Sequence, residues 1–404
     1  MLVTVLKKGF AREDVGAMMK QTIRHATALL STGHAMVDFY ANFLPILLPL
    51  LMLKFGLSLT MCGVLVMVAS VTTNMLQPFF GYLMDKRNFS PLLPYIVPAA
   101  AVPICMVGLA GHPAVLFLLV AVTGAAVAAY HPLSSMLVGR TAADGRGNGM
   151  MSYFIAGGNA GMAFVPLVLV TFLEKLSLSA LPLLILPAVL MGVLFVRSGL
   201  CAVSSLPERR AAERPKLSHV LFARTTITLN LAMGLRCWTH GAFGTFLPLL
   251  LVGNGEDTSA AGLFLTVFML GGMTGGLVGG NLADRFTGRA IIVAFLVVGI
   301  LPCAYYFTHV SADLLGGIVL FAAGFALMAP QPSSIIWAQQ ALPENAAMAS
   351  GMMLGMSFGL GSLGVAATAA LGDVIGLAPA LLVSVLALPL AALLAYITPE
   401  PERQ

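Results

Sequence analysis

Twelve stretches dominated by apolar residues, none shorter than 18 residues, leave this chain very few structures to adopt. They fall at 23–53, 59–84, 91–110, 114–138, 149–173 and 178–196, then at 227–252, 260–283, 290–307, 314–337, 346–371 and 377–397. A helix rising about 1.5 Å per residue crosses the roughly 30 Å of bilayer hydrocarbon in about 20 residues. A closed β-barrel is the other way to satisfy a backbone in lipid. Its strands are about half as long and alternate polar with apolar residues, which these runs do not. Only 9% of the residues are charged and 59% are hydrophobic, against about a quarter charged in a soluble domain. The expected fold is all-α, a polytopic membrane protein with twelve transmembrane helices.

The second six runs repeat the first. Gly81-Tyr-Leu-Met-Asp85-Lys86-Arg87, after the second run, returns after the eighth as Gly280-Asn-Leu-Ala-Asp284-Arg285, with Arg289 close behind, at an offset of 199 residues. Asn42-Phe-Leu-Pro45 is echoed by Thr245-Phe-Leu-Pro248, His131-Pro-Leu-Ser-Ser135 by Gln331-Pro-Ser-Ser334, and Gly149-Met-Met151 by Gly351-Met-Met353, at offsets of 203, 200 and 202. Chance similarity between apolar helices does not hold nearly one offset at four places. The chain therefore reads as two pseudo-symmetric six-helix bundles, 1–203 and 223–404, joined by a polar linker at 204–222. Both copies keep the same sidedness, so the halves are related by an axis along the membrane normal.

Cations set the orientation, because Lys and Arg of short loops are retained on the cytoplasmic side. With the N-terminus inside, eighteen Lys and Arg fall on that side and two, Lys54 and Lys175, on the other. Both termini and the linker are expected in the cytoplasm, and the protein in the inner (cytoplasmic) membrane. The net charge of +5 then faces anionic lipid head groups, with no nucleic-acid partner expected. The first run is too long for the core of a cleavable signal peptide. The five cysteines are scattered and imply neither a disulfide nor a metal site, and no metal or cofactor is expected. There is no nucleotide-binding loop and no nucleophile motif, so the chain is not expected to be an enzyme.

Function should lie where charge sits in lipid. An ionisable side chain at mid-membrane costs several kcal/mol, on the order of 3 by insertion scales, and normally lines a pathway. Asp38 is the one acid deep in a run and Arg236 the one cation, in the equivalent first and seventh runs. His34, Asp38 and Asn42 follow at four-residue steps, and so do Arg236 and His240, giving each helix a polar stripe. Burial favours the neutral form of a carboxylic acid and a neighbouring cation the ionised form. Asp38 is thus the candidate proton carrier, with His34 and His131 sharing the proton. Arg236, whose planar fork suits carboxylate, phosphate or phosphonate oxygens, is the candidate substrate anchor. Asn42, Asn74, Gln77, Tyr130, Asn159, His240 and Gln331 are expected to line the same cleft, with Ser152. Measured from the shared Phe-Leu-Pro landmark, Arg236 lies about 7.5 Å nearer the cytoplasm than Asp38, so a direct pair is not implied. The repeated loop residues Asp85, Lys86, Arg87, Asp284, Arg285 and Arg289 are expected to latch one closed state, each carboxylate meeting both a helix N-terminus and neighbouring Arg. The glycine ladders at Gly271, Gly275 and Gly279 and at Gly351, Gly355 and Gly359 read as helix packing.

The doubled Gly-x-x-x-Asp-Arg/Lys loop resembles the signature of the major facilitator superfamily. Within it, His34-x-x-x-Asp38, Leu76-Gln77-Pro78-x-x-Gly81-Tyr82-x-x-Asp85-Lys86, His131-Pro132-x-Ser134-Ser135, Gly145-Arg146 and Gly157-Gly158-Asn159-x-Gly161 resemble the fosmidomycin resistance protein group of drug efflux transporters. Two positions depart from that pattern: Leu133 stands where the group has an acid, and Val165 precedes Pro166 where it has Gly. The resemblance implies a secondary active transporter working by alternating access, a proton-coupled efflux antiporter of a small polar or anionic compound or drug, acting as a monomer. A proton-coupled importer of an organic anion or nutrient is the alternative that the residues leave open.

Overall fold

The computed structural model describes residues 12–57, 59–142, 146–203 and 223–400. The expected linker at 204–222 lies outside the described residues. Among those described, the chain is helical with no strand. In the first half α1 (12–55) runs as Arg12–Ala41 and Phe43–Phe55 with a break at Asn42. It is followed by α2 (59–86), as Leu59–Asn74 and Gln77–Lys86, then α3 (Leu93–Met106), α4 (Pro113–Thr141), α5 (Gly147–Lys175) and α6 (Ile185–Ser198). The second half holds α7 (Arg224–Gly253), α8 (Thr258–Ala283), α9 (288–308), α10 (314–341), α11 (346–375) and α12 (377–397). Ten of the twelve have the length and apolarity to cross a membrane.

The ends of these helices follow from short polar residues placed where the first N–H groups lack partners. Asp257, Thr287 and Asp313 cap α8, α9 and α10 by accepting from Ala260, Ala290 and Gly316. Asp313 also accepts from Ser311, and the Gly316 N–H, followed by this hydroxyl, holds its carboxyl below the usual range. Gly56 ends α1 in the left-handed region at φ 61°, where only glycine is unstrained. Inside α4, Pro132 has no N–H to give the fourth carbonyl behind it, which loosens the helix beside His131.

Within each half the equivalent helices pack alike, α1 on α5 and α7 on α11, while α2 meets α4 and α8 meets α10. The ladder Gly271, Gly275 and Gly279 of α8 faces the carbonyls of Phe321, Phe325 and Ala329 on α10, within about 2 Å of where a Cβ would stand. It is a packing surface, as the spacing predicts. The second ladder does something different. Gly351 and Gly355 of α11 lie against the carbonyls of Gln77 and Asn74 on α2, so that ladder joins the two halves rather than packing one of them.

Contacts between the halves run α2 to α11, α8 to α5, α4 to α11 and α10 to α5. They concentrate at one end of the molecule, the one that carries both repeated loops and most of the cations.

Candidate functional site: a polar cluster in the first half and a buried arginine in the second

Asp38 sits on α1 one turn before the break at Asn42, whose side-chain amide donates to the Asp38 backbone carbonyl at 2.8 Å. Its carboxylate lies between two imidazoles. Nε2 of His34 is 3.2 Å from Oδ2, and Nε2 of His131, on α4, is 3.0 Å from Oδ1. The i,i+4 spacing on α1 supplies the first contact, and the packing of α4 on α1 supplies the second. Nδ1 of His34 meets the Phe154 carbonyl of α5 at 2.7 Å, and the two rings stack at 4.1 Å. Gly157, Gly158 and Gly161 allow this close approach of α5: a Cβ on Gly158 would stand 2.5 Å from Asp38 Oδ2.

The Phe154 carbonyl only accepts, so Nδ1 of His34 donates to it, and Nε2 of the same ring faces a carboxylate oxygen of Asp38. His131 donates from Nε2, and its Nδ1 is buried without a hydrogen-bond partner. The donor atoms of all three lie within 4.8 Å of one another. A sequence scan for metal ligands passes over this set because the ligands come from two helices, 93 residues apart between Asp38 and His131.

Arg236 is the largest fully buried side chain among the described residues, with no exposed surface. Its fork donates to Gln331 Oε1, to the sulfurs of Cys237 and Met328 at 3.1 Å each, and to the Leu327 carbonyl at 3.4 Å. Its Nε has no partner, and Phe358 lies 5.5 Å from the guanidinium. No carboxylate pairs with it among the described residues. Gln331 passes the contact on to the Met353 carbonyl, inside a π-helical turn at Met352–Met356 of α11. That turn adjoins the glycine surface on which α2 of the other half rests.

The other expected cleft residues divide. His240 is half-buried, one turn along α7 from Arg236 and 5.4 Å from the Phe268 ring. Asn159 is half-buried and has no hydrogen-bond partner among the described residues. Tyr130 is fully buried and its hydroxyl donates to the Leu30 carbonyl at 2.7 Å, tying α4 to α1. Gln77 is 1% exposed, donates to Thr73 and packs against Gly355. Asn74 reaches Ser70 at 3.5 Å, and Ser152 donates to Gly149. These last four act on helix contacts in this structure, and Gln77, Asn74 and Ser152 lie where the halves touch.

The repeated loops behave as a matched pair. Asp85, at the end of α2, accepts from the backbone N–H groups of Ala347 and Met348 at 3.0 and 2.9 Å. Asp284, just past α8, accepts from the backbone N–H groups of Asn148 and Gly149 at 2.9 Å each and from the Asn148 side chain at 3.1 Å. Each carboxylate thus caps the first turn of the fifth helix of the opposite half, where the helix dipole favours negative charge. Gly81 and Gly280 of the two signatures let the backbones meet: a Cβ would stand 2.5 Å from the Ala347 carbonyl and 2.6 Å from the Asn148 carbonyl. Gln339 adds a bond to the Ser135 carbonyl across the same boundary. Of the neighbouring cations, Lys86 lies 4.0 Å over the Tyr82 ring, and Arg289 is drawn to the end of α12 at Thr398 and Glu400. Arg285 lines a cavity of about 500 Å³ at this end, beside Asp284 and Trp337. Arg87, at the end of α2, also has an interaction partner.

Two six-helix halves latched at one end, with ionisable side chains buried between helices at mid-span, define a membrane transporter rather than an enzyme. A family model described as Major Facilitator Superfamily matches residues 29–366. The chain belongs to that superfamily. It is 27% identical over 394 residues to the uncharacterized MFS-type transporter YfnC of Bacillus subtilis (strain 168), covering 95% of this chain and 94% of the relative. It is 24% identical over 351 residues to the fosmidomycin resistance protein of Escherichia coli (strain K12), covering 85% of each. Among solved structures it is similar to the transporter FucP in the outward conformation, with a TM-score of 0.73 at 16% identity over 94% of this chain and all of that one. A bacterial homologue of the iron transporter ferroportin in its outward-facing state gives a TM-score of 0.71 at 15% identity, over 92% and 98% of the two chains.

Proposed function

We propose that the protein is a proton-coupled efflux antiporter of a small polar or anionic compound. The observation that carries this reading is the Asp38 carboxylate set between Nε2 of His34 at 3.2 Å and Nε2 of His131 at 3.0 Å. Three ionisable groups in contact in one partly buried site can hold or release a proton between them, as a coupling site requires. The cation-rich end is taken as cytoplasmic, which puts both termini inside and makes the present state open toward the outside, with the inner side latched by Asp85 and Asp284. In this reading a proton enters from outside and closes the His34–Asp38 pair. The halves then rock, and the proton leaves inside as cargo is taken up.

Arg236 supplies the cargo side. A guanidinium without a carboxylate partner is costly to bury, and an anionic group on the substrate would offset that cost when the site opens inward. Efflux rather than uptake is favoured by the relative named for fosmidomycin resistance; the expected cargo includes phosphonates and similarly charged drugs.

The reading is tested in everted membrane vesicles carrying an acid-inside pH gradient, to which phosphonates, sugars, chelators and amphiphilic drugs are added in turn. At least one compound should dissipate the gradient with the wild-type protein and fail to do so with Asp38→Asn. Equal dissipation by both proteins overturns the role of Asp38.

A further inference from the structure

We infer that His34, Asp38 and His131 also form a binding site for one divalent transition-metal cation of the zinc type. The inference rests on the reading of this cluster as the proton site and adds a second occupant to it.

The ligand set carries the argument. Two imidazoles present the same atom, Nε2, to the two oxygens of one carboxylate, at 3.2 and 3.0 Å, with all donor atoms within 4.8 Å. Tetrahedral zinc with bonds of about 2.0–2.1 Å separates its ligand atoms by roughly 3.3 Å, close to the two nitrogen–oxygen separations. Two nitrogens and one oxygen suit zinc, cobalt or nickel; magnesium and calcium favour oxygen-rich sites.

The surroundings fit the same occupant. A metal-bound histidine usually donates its other ring N–H to a carbonyl or carboxylate, which fixes its tautomer. Nδ1 of His34 already does so to Phe154 at 2.7 Å, and the stacked Phe154 ring holds the imidazole plane. Nε2 of His34 thereby points at the Asp38 carboxylate, where the ion would sit. His131 lacks this support, since its buried Nδ1 has no partner, which makes it the weaker ligand. Tyr130, 6.4 Å from the His34 ring, is the other titratable side chain against the cluster, and its hydroxyl is committed to Leu30. Arg236 is held by Gln331 and forms no ion pair with Asp38. Three protein ligands leave the fourth position open, as in zinc sites that exchange a ligand. Asp38 is the most accessible of the three, its side chain 14% exposed.

The test uses the full-length protein, purified without a polyhistidine tag and placed in lipid nanodiscs, with Co²⁺ as an optical probe. The expected result is saturable binding of one Co²⁺ per chain with four-coordinate visible bands, displaced by Zn²⁺ and not by Mg²⁺. His34→Gln and Asp38→Asn should weaken it by about 100-fold and His131→Gln by about tenfold. X-ray absorption of the zinc-loaded wild type, which needs no variant to fold, should show two imidazoles on the metal. Absence of saturable binding, unchanged binding in Asp38→Asn, or a zinc shell without imidazole overturns the inference. No gradient or cargo is used, so loss of metal binding alongside intact Asp38-dependent proton exchange overturns this inference alone. Metal binding without proton exchange overturns the earlier reading alone.

Discussion

Asp284 accepts the backbone N–H of Gly149 at 2.9 Å across the boundary between the two halves. Its equivalent 199 residues earlier, Asp85, does the same to Met348 at the same distance. The two halves are therefore joined at one end by two copies of one device, a carboxylate at the N-terminus of the opposite half's fifth helix, with a glycine one turn earlier that lets the helices touch.

Loss of either carboxylate should loosen that end. Hydrogen bonds to a charged group contribute about 1.5–3 kcal/mol, so Asp85→Asn or Asp284→Asn should lower the ratio of closed to open forms about tenfold or more. Spin labels on Arg140 and Phe286, one in each half, should show a longer and broader distance distribution. An unchanged distribution in both variants would leave the carboxylates without a gating role.

The glycines of the same signatures should be as sensitive as the acids. A Cβ at Gly81 or Gly280 has a backbone carbonyl within 2.6 Å, which cannot move as a flexible side chain can. Gly81→Ala and Gly280→Ala should favour the open form. Gly147→Ala, whose Cβ would find nothing nearer than 3.7 Å, should leave the distribution as it is.

Gly158→Ala probes the proton cluster without removing any of its members. The added carbon meets Asp38 Oδ2 at 2.5 Å and His34 Cε1 at 2.6 Å, both far ends of side chains, so the helix survives and the pair is displaced. Proton exchange in vesicles should fall at least tenfold while the melting temperature stays within a few degrees, roughly what 1 kcal/mol moves in a domain. Wild-type exchange in this variant would separate the cluster from coupling.

Arg236 distinguishes function from stability. A buried charge that lacks an ionic partner carries an uncompensated desolvation cost, which an apolar side chain of similar length removes. Arg236→Met should therefore melt at or above the wild-type temperature and fail to transport. Arg236→Lys keeps the charge but loses the fork that reaches Gln331, Cys237 and Met328, and should transport at least tenfold more slowly. A destabilised, fully active Arg236→Met would mark the residue as structural.

Much of this was legible in the chain. The run predicted at 149–173 is the helix Gly147–Lys175, and the run at 260–283 is Thr258–Ala283, because in lipid the backbone must close its own hydrogen bonds. The His34–Asp38 contact follows from one helical turn. The contact of Asp85 and Asp284 with helix N-termini is legible in their duplication, whereas Arg289 turns to the end of α12. Tyr130 and Gln77 were harder to place. A polar side chain on a membrane helix can face a cleft or satisfy a neighbouring carbonyl, and periodicity on one helix cannot tell which neighbour it meets.

The sequence by itself determined the solvent, the twelve spans, the duplication and which few charges enter the membrane, because each of these is a local or repeated property paid in desolvation. Only the tertiary structure decided that His131 joins Asp38 and that Arg236 takes Gln331 rather than an acid. It also decided that the second glycine ladder binds the opposite half. These are pairings between helices distant in the chain, set by how two bundles pack and by which end of the molecule is closed.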